Sequence, residues 1–288
     1  MLRFGCQTYS WQMSLERYQG RIDHICQVVA RAGFSGLEAE VVMLGDFATA
    51  HRLGGALESS GIQLAALTLV EDWNGEHELE AERASADAAI ALTAKFGGAL
   101  LVLCQRPGKD RRDLTRRQNC LLGCIRDIAL RADDAGVKTT FHPNSPEGSL
   151  FRTSDDYEML LGALPASVGF TPDLGHIARC GMDPLSVVAR YRDRVNHVHV
   201  KDMDATGNWA LIGTGMVAVA EVAAYLRRTS YDGWLVLEDE SALAGQAPDL
   251  VAAHLGRYVD EELRVPTEEA VAANAQAQPR LSPARGEG

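Results

Sequence analysis

The chain has 288 residues, of which 46% are apolar and 23% are charged, a composition typical of a globular protein with a sizeable buried core. Its formal net charge of −11 argues against a nucleic-acid-binding protein, because a basic face usually marks that class. The sequence contains no apolar run long enough to span a bilayer, so we expect no membrane partner either.

The cysteines and the N-terminal sequence bear on the cellular compartment. Six cysteines are dispersed through apolar surroundings without a C-x-x-C pair. The first residues lead directly into a strand pattern and do not resemble a secretory signal. We therefore expect a reduced, cytoplasmic protein, and the sequence leaves open whether it forms a homo-oligomer.

Short apolar runs alternate with longer amphipathic segments along most of the chain. The short runs predict eight strands, at residues 4–9, 36–40, 63–70, 99–104, 137–142, 168–173, 195–200 and 234–238. Apolar positions three and four apart predict helices near residues 22–32, 47–60, 76–96, 113–135, 154–164, 184–192, 217–229 and 249–262.

Local signals mark several helix ends. Gly61 is suited to end one helix, Ser154 to cap the start of another, and Pro184 to occupy a first turn after Asp183.

Eight β-α units without a linker predict one α/β domain, a (β/α)8 or TIM barrel at residues 1–264, in preference to two doubly wound halves. Residues 265–288 shift to Ala, Gln, Pro, Glu and Arg without periodicity, which predicts a disordered tail.

Polar residues gather where three consecutive predicted strands end. His197, His199 and Lys201 share one face of the seventh strand, because side chains alternate along a strand. Asp173 and Glu238 lie at the ends of the strands before and after it. Active sites of TIM barrels lie at such strand ends, and Asp, His and Glu are ligands of divalent metals. The sequence therefore predicts a metal site at this end of the barrel.

Three segments resemble the motifs of the xylose-isomerase-like barrels, namely Asp173-Leu174-Gly175-His176, His197-Val198-His199-Val200-Lys201-Asp202 and Leu237-Glu238. That superfamily includes sugar isomerases and epimerases, inosose dehydratases and endonuclease IV. The resemblance covers residues 1–262 and implies one divalent metal, Mn²⁺ or Co²⁺ before Mg²⁺ or Zn²⁺. By position, the resemblance makes Asp173, His199 and Glu238 metal ligands, with His197 one step deeper.

The resemblance also implies a fourth ligand at the end of strand five, which is a glutamate in the epimerase branch. This chain has His142 there, followed by Pro143, which resembles the inosose dehydratase branch. We interpret His142 as a fourth metal ligand or a neutral base beside the metal, with a core histidine as the alternative. The missing glutamate disfavours an epimerase mechanism that uses two carboxylates.

Two further residues are candidates for catalysis and for substrate binding. His176 resembles the histidine with which related enzymes contact substrate hydroxyls, although it could instead cap the next helix. Lys201 could donate a hydrogen bond to an oxyanion or to a leaving hydroxyl. The alternative for Lys201 is a salt bridge with Asp202 or Glu240.

The remaining candidates form a predicted substrate-binding wall. Glu38, Glu71 and Trp73 lie near the ends of strands two and three, and Trp11 lies near the end of strand one. Glu38 resembles a recurrent strand-two motif of these barrels and could equally orient a neighbouring residue. Aromatic faces pack well on the C–H faces of a sugar or cyclitol ring, although core packing would explain either tryptophan.

These residues predict a metal-dependent carbon–oxygen lyase that acts on a polyhydroxylated ketone, either a keto-inositol or a keto-sugar. The reaction would begin with removal of the proton α to a metal-bound carbonyl, with Glu238, His176 and Lys201 as catalytic residues. Loss of the β-hydroxyl then gives dehydration. Return of the proton would instead give a sugar isomerase or epimerase, and loss of an aglycone would give a keto-glycoside lyase.

Two other classes are less consistent with the sequence. An endonuclease IV-like nuclease would need three metals and a basic surface, whereas this chain has eight histidines and a charge of −11. A non-catalytic barrel subunit would be expected to lose Asp173, His199 and Glu238, which are all present.

Overall fold

The computed structural model describes residues 2–264, and the tail predicted for residues 265–288 lies outside them. The described strands are β1 (Arg3–Gln7), β2 (Gly36–Glu40), β3 (Gln63–Glu71), β4 (Leu100–Gln105), β5 (Lys138–His142), β6 (Val168–Phe170), β7 (Val198–Val200), β8 (Asp202–Met203), β9 (Trp209–Ala210) and β10 (Trp234–Leu237).

Helices alternate with these strands. They are α1 (Tyr9–Gln12), α2 (Leu15–Tyr18), α3 (Ile22–Arg31), α4 (Val41–Leu44), α5 (Ala50–Ser60), α6 (Glu80–Thr93), α7 (Leu114–Asp134), α8 (Ser154–Ala163), α9 (Leu174–Arg179), α10 (Pro184–Arg190), α11 (Val219–Arg228), α12 (Ala242–Gln246) and α13 (Pro248–Tyr258). Single turns occur at Gly45–Phe47, Arg192–Arg194 and Val259–Leu263.

Eight of the strands form one parallel sheet, in the order β6-β5-β4-β3-β2-β1-β10-β7. Two isolated parallel bridges, Phe170 to Val195 and Asp173 to His199, join β6 to the chain around β7 and close the sheet. The architecture is a TIM barrel, as the alternation of strands and helices predicts.

Burial on both faces explains why the strands read as short apolar runs. Every residue of β4 is buried, since its side chains point alternately to the barrel interior and to the surrounding helices. The apolar spacing of α3 has the same origin, because Ile22, Ile25 and Val29 form the face that packs on the sheet. None of the helices in residues 2–264 has the length and apolar composition needed to cross a membrane.

Several predicted boundaries differ from the structure. Thr153, not Ser154, caps α8, because the Thr153 hydroxyl accepts a hydrogen bond from the Asp156 amide at 3.2 Å. The left-handed Gly61 and the first-turn Pro184 are confirmed. Helix α9 and the antiparallel hairpin β8–β9 have no counterpart in the prediction. The eighth barrel strand is therefore β10.

A packing contact between helices offers a test of the fold. Gly256 of α13 packs against the end of α3, where an added Cβ would lie 1.9 Å from the carbonyl oxygen of Ala32. We expect Gly256→Ala to lower the free energy of unfolding by about 1–3 kcal/mol, because the two helices must separate. Denaturant titration followed by circular dichroism measures the change.

Gly162 of α8 provides the matched control, since no atom of the described residues lies within 4 Å of its added Cβ. Gly162→Ala should be neutral or stabilise by up to about 1 kcal/mol through helix propensity. Equal unfolding free energies for the two variants would contradict the packing argument.

Candidate active site

A cavity of about 570 Å³ opens at the carboxyl ends of the barrel strands. Its polar lining includes Glu40, His142, His176, His199, Glu238 and Glu240. Five of these side chains lie at strand ends or in the loops that follow, and His176 lies in α9, the helix after β6. This end of the barrel is where a TIM barrel presents its active site.

Four buried side chains offer a set of metal donors at or directly beneath the floor of this cavity, and three of them line it while Asp173 lies just behind. They are His142, Asp173, His199 and Glu238, and one donor atom from each lies within 4.8 Å of the others. Metal–ligand bonds of about 2.1 Å place ligand atoms roughly 3.0 to 4.2 Å apart, so small shifts would allow all four to bind one ion. Two imidazole nitrogens and two carboxylate oxygens suit a borderline divalent metal.

His199 provides an independent observation for the same fit. Its Nδ1 lies 2.9 Å from Glu238 Oε2 and its Nε2 lies 2.8 Å from Glu38 Oε1. Neither contact has hydrogen-bond geometry, so among the described residues both ring nitrogens are buried without a hydrogen bond. Burial opposes a charge on His199, but Glu38 and Glu238 raise its pKa to about 10. The two carboxylates therefore favour a positive charge at His199, which either a bound proton or a metal ion would supply.

Asp173 is held in place by the start of α9. Its Oδ1 accepts a hydrogen bond from the His176 amide at 2.8 Å and so caps the helix. Its Oδ2 remains directed to the cavity floor, 3.4 Å from His142 Nε2. Gly175 permits this arrangement, because an added Cβ would lie 2.7 Å from the Lys201 Cβ. The helix start can therefore lie directly against the end of β7.

Glu38 does not reach the cavity, which corrects its prediction as a substrate-binding residue. It has no exposed surface and lies below His199, where it accepts hydrogen bonds from His197 Nε2 and Thr68 Oγ1, both at 2.5 Å. Together with His199 these contacts form a buried His197–Glu38–His199 chain. The inward alternation of strand residues is as predicted, but Glu38 and His197 lie one layer too deep to contact substrate.

Lys201 is 1% exposed and is not among the residues that line the cavity, so the structure favours the salt bridge with Glu240 that sequence analysis gave as the alternative to a substrate contact. Its Nζ lies 3.5 Å from Asp173 Oδ2, 3.1 Å from Glu238 Oε1 and 2.5 Å from Glu240 Oε1. Burial alone would lower the pKa of Lys201, but Asp173, Glu238 and Glu240 raise it well above its usual value. Lys201 is thus a buried ammonium that neutralises surrounding carboxylates.

His176 lies on the cavity surface, as predicted. Its Nδ1 contacts Ser145 Oγ at 2.7 Å and its Nε2 lies 3.3 Å from Lys201 Nζ. Burial and the neighbouring Lys201 lower the pKa of His176 well below its ordinary value, so the ring is neutral. A neutral imidazole can both donate and accept hydrogen bonds.

The aromatic wall of the cavity differs from the prediction. Trp73 and Trp11 have no exposed surface, and neither lines the cavity. Trp209, on the hairpin β8–β9, lines the cavity and packs edge-on against His176 at 5.1 Å between ring centroids. The predicted Glu71 does line the cavity, near the rim.

The hairpin that carries Trp209 is held by one carboxylate. Asp202 Oδ2 accepts hydrogen bonds from the amides of Gly213 and Gly215, at 3.0 and 2.8 Å. Asp202 Oδ1 accepts from the amides of Met203 and Val217, at 2.9 and 3.0 Å. Sequence analysis did not predict this wall, because the hairpin that follows the seventh predicted strand has no periodic apolar pattern.

Sequence analysis also missed Glu40 as a cavity residue. It is the last residue of β2 and lies two positions beyond Glu38, so both point inward, with Glu40 one layer higher. The same alternation could have found Glu240, two positions beyond Glu238.

Comparison with known proteins places this geometry in context. The model of the xylose isomerase-like TIM barrel family matches residues 26–261. An inosose dehydratase from Lacticaseibacillus casei is 26% identical over 155 residues, which cover 47% of this chain and 51% of that protein. The chain thus matches about half the length of this curated relative.

Solved structures show the same barrel. The probable 3-DHS dehydratase AsbF from Bacillus anthracis has a TM-score of 0.71 and 17% identity, over 90% of this chain and 99% of that one. The IOLI protein with a binding zinc atom has a TM-score of 0.72 and 12% identity, over 91% and 100%. Likeness at these identities is evidence for the fold alone.

The donor set leads to a prediction about metal retention. We expect chelator-treated protein to rebind about one Mn²⁺ or Co²⁺ per chain, and His199→Ala and Glu238→Gln to weaken this binding by more than roughly 100-fold. Calorimetric titration and elemental analysis measure binding, and circular dichroism verifies the fold. His24→Ala, which removes a partly exposed histidine paired with Asp249, is the control. Unchanged affinity in either site variant would contradict the assignment.

The buried chain below His199 gives a second prediction. Glu38→Gln removes the carboxylate that faces both His197 and His199, so His199 should be less well oriented. We expect metal affinity to fall by about 10- to 100-fold, as is usual for residues that orient a ligand. Glu58→Gln, the same change on exposed α5, is the control. The assignment fails if both variants bind metal like the unmodified protein.

Proposed function

The chain belongs to the xylose isomerase-like TIM barrel family, and from this premise we propose that it is a metal-dependent lyase that dehydrates a keto-inositol or keto-sugar. One observation carries the proposal: a cavity of about 570 Å³ has four convergent metal donors at its floor. That volume is typical of sites for small molecules. The name of the Lacticaseibacillus casei relative, inosose dehydratase, supports this substrate class.

The proposed metal is one Mn²⁺ or Co²⁺, held by His142, Asp173, His199 and Glu238. The zinc in the IOLI protein supports a divalent ion in barrels of this kind. When bound, such an ion supplies Lewis-acid polarisation of a carbonyl group, which makes the adjacent C–H bond more acidic.

Glu238 is the proposed base that removes the proton α to the carbonyl. It lines the cavity, and its carboxylate has Lys201 Nζ at 3.1 Å and His199 Nδ1 at 2.9 Å. Burial opposes the charge, but Lys201 and His199 lower the pKa of Glu238 to about 2, so it is ionised at neutral pH. Lys201 acts through Glu238 as a positioning residue and does not contact the substrate.

His176 and Trp209 are the proposed substrate contacts. The neutral His176 can exchange hydrogen bonds with ring hydroxyls, while the indole of Trp209 provides a flat apolar wall for ring C–H groups. The Arg179 guanidinium lies 4.6 Å from the Trp209 ring centroid and braces the indole from the rim.

An epimerase or isomerase that shares the first proton transfer is the main alternative. Its two-carboxylate form needs a glutamate at the end of β5, where this chain has His142. A keto-glycoside lyase would use the same base with an aglycone as the leaving group. We keep dehydration as the proposal because it requires one base and one acid and does not require a glutamate at the end of β5.

Product analysis tests the proposal. Metal-loaded protein incubated with 2-keto-myo-inositol should release an unsaturated ketone with enone-type absorbance and a mass lower by one water. Trp209→Ala should raise KM more than it lowers kcat, since it removes binding surface and no proton-transfer group. His24→Ala, on the outer surface, is the control for protein handling.

The outcomes separate the candidates. A product of unchanged mass, formed from this ketone or from a free ketohexose, would replace the dehydratase by an isomerase or epimerase. Release of an alcohol from a 3-keto-glycoside without dehydration of the free ketone would favour the keto-glycoside lyase.

A further inference from the structure

The dehydration proposed above needs a proton donor for the departing hydroxyl, and none of the residues considered so far is suited to that task. Glu238 is the proposed base, both ring nitrogens of His176 already have contacts to Ser145 and Lys201, and Lys201 does not line the cavity. The donor must line the cavity and hold a proton near neutral pH.

Glu40 has such surroundings. Burial also raises the pKa of two other cavity carboxyl groups, but Glu240 is paired with Lys201 at 2.5 Å and Glu71 is partly exposed.

The Glu40 side chain lines the cavity and is 6% exposed. The Glu40 amide donates to Thr8 Oγ1 at 3.0 Å, which fixes the end of β2. Gln7 Nε2 donates to Glu40 Oε1 at 3.4 Å, and the Gln12 amide is the other polar neighbour. Within residues 2–264, no Lys, Arg or His nitrogen lies within 4.0 Å of the carboxyl group.

Glu40 and Glu238 therefore line the same cavity but have different electrostatic surroundings. Glu238 contacts an ammonium and an imidazole, whereas Glu40 contacts neutral amides. Burial raises the pKa of Glu40 to about 7, and the negative Glu238 adds to the effect. A carboxyl group paired with cations and a carboxyl group surrounded by neutral amides are suited to act as base and acid on one substrate.

The strand order places the pair on two sides of the cavity. β2 and β10 flank β1, so their axes are separated by two strand spacings, roughly 10 Å. Side chains from both strand ends project into the space above β1, where a six-membered ring would lie between them.

We propose that Glu40 is a further catalytic residue, the general acid that protonates the β-hydroxyl as it leaves; this rests on the dehydratase function proposed above. Glu238 takes the α-proton, and the C–H electron pair becomes the new C=C bond as the β C–O bond breaks. The departing oxygen receives the Glu40 proton and leaves as water. One proton then passes from Glu238 to Glu40, which restores both groups without any oxidant or reductant.

The experiment compares two steps in the metal-loaded full chain. Glu40→Gln keeps the shape of the side chain but removes its proton, so dehydration of 2-keto-myo-inositol should fall by roughly 100-fold or more. Exchange of the α-proton with D₂O, which needs only Glu238, should persist within a few-fold of the unmodified rate. Glu58→Gln, on exposed α5, is the matched control and should change neither rate.

Several results would overturn the assignment. Dehydration by Glu40→Gln at the unmodified rate would remove Glu40 from the mechanism. Equal loss of exchange and dehydration would make it a structural residue or a participant in the first step. If the unmodified protein dehydrates no ketone, the proposed function is contradicted. A direct measurement of whether the Glu40 carboxyl group is protonated then tests the assignment of Glu40.

That measurement is the infrared carboxylic-acid band at about pH 6, where ordinary carboxyl groups are ionised. The titratable groups that face Glu40 are Glu38, Glu238, Tyr9 and Cys104, and none of them is expected to contribute a neutral carboxyl group. We expect the band to be weaker in Glu40→Gln than in the unmodified protein and unchanged in Glu58→Gln, since burial also raises the pKa of Glu71 and Glu240 and both remain in every variant. Identical spectra for all three proteins would show that Glu40 holds no proton, and the proposal would fail.

Discussion

The buried ammonium of Lys201 is the interaction on which the rest of this site depends. Asp173, Glu238 and Glu240 lie within 3.5 Å of it, and Asp173 and Glu238 are buried. Three close carboxylates without a cation would repel one another and take up protons. With Lys201 in place, Glu238 stays ionised and Asp173 stays available to cap α9. The same charge keeps His176 neutral, so one side chain sets three protonation states.

The side chains at the strand ends form two layers with different tasks. The lower layer, His197 and Glu38, has no exposed surface and only orients His199. The upper layer carries the groups that line the cavity, including Glu40 and Glu238. Strand β2 carries one carboxylate in each layer, because Glu38 and Glu40 are two positions apart and both point inward.

Sequence patterns predicted the barrel and the face on which the site lies, because strand alternation and strand-end chemistry are local properties. The depth of each inward residue was not predictable in the same way, since it depends on the stagger of neighbouring strands. The depth along the barrel axis differs in this way for Glu38, which is fully buried, and for Glu40, which reaches the cavity. The conformation of Trp73, with a φ of 43°, likewise follows from tertiary packing. Trp209 was missed because its two-residue strand is too short for any periodicity to reveal.

The anchoring of the β8–β9 hairpin bears on how such a barrel can change its substrate during evolution. Asp202 holds the hairpin through backbone amides, which nearly every residue type provides. Gly213 and Gly215 are constrained, because a Cβ at either position would meet Tyr258 or Asp202 within 2.6 Å, and so are the left-handed Gly207 and the buried Ile212. Substitutions at the partly or fully exposed Asn208, Ala210 and Leu211 can thus reshape the wall around Trp209 while the candidate metal donors stay fixed. The hairpin therefore separates the shape of the cavity wall from the donor set at its floor.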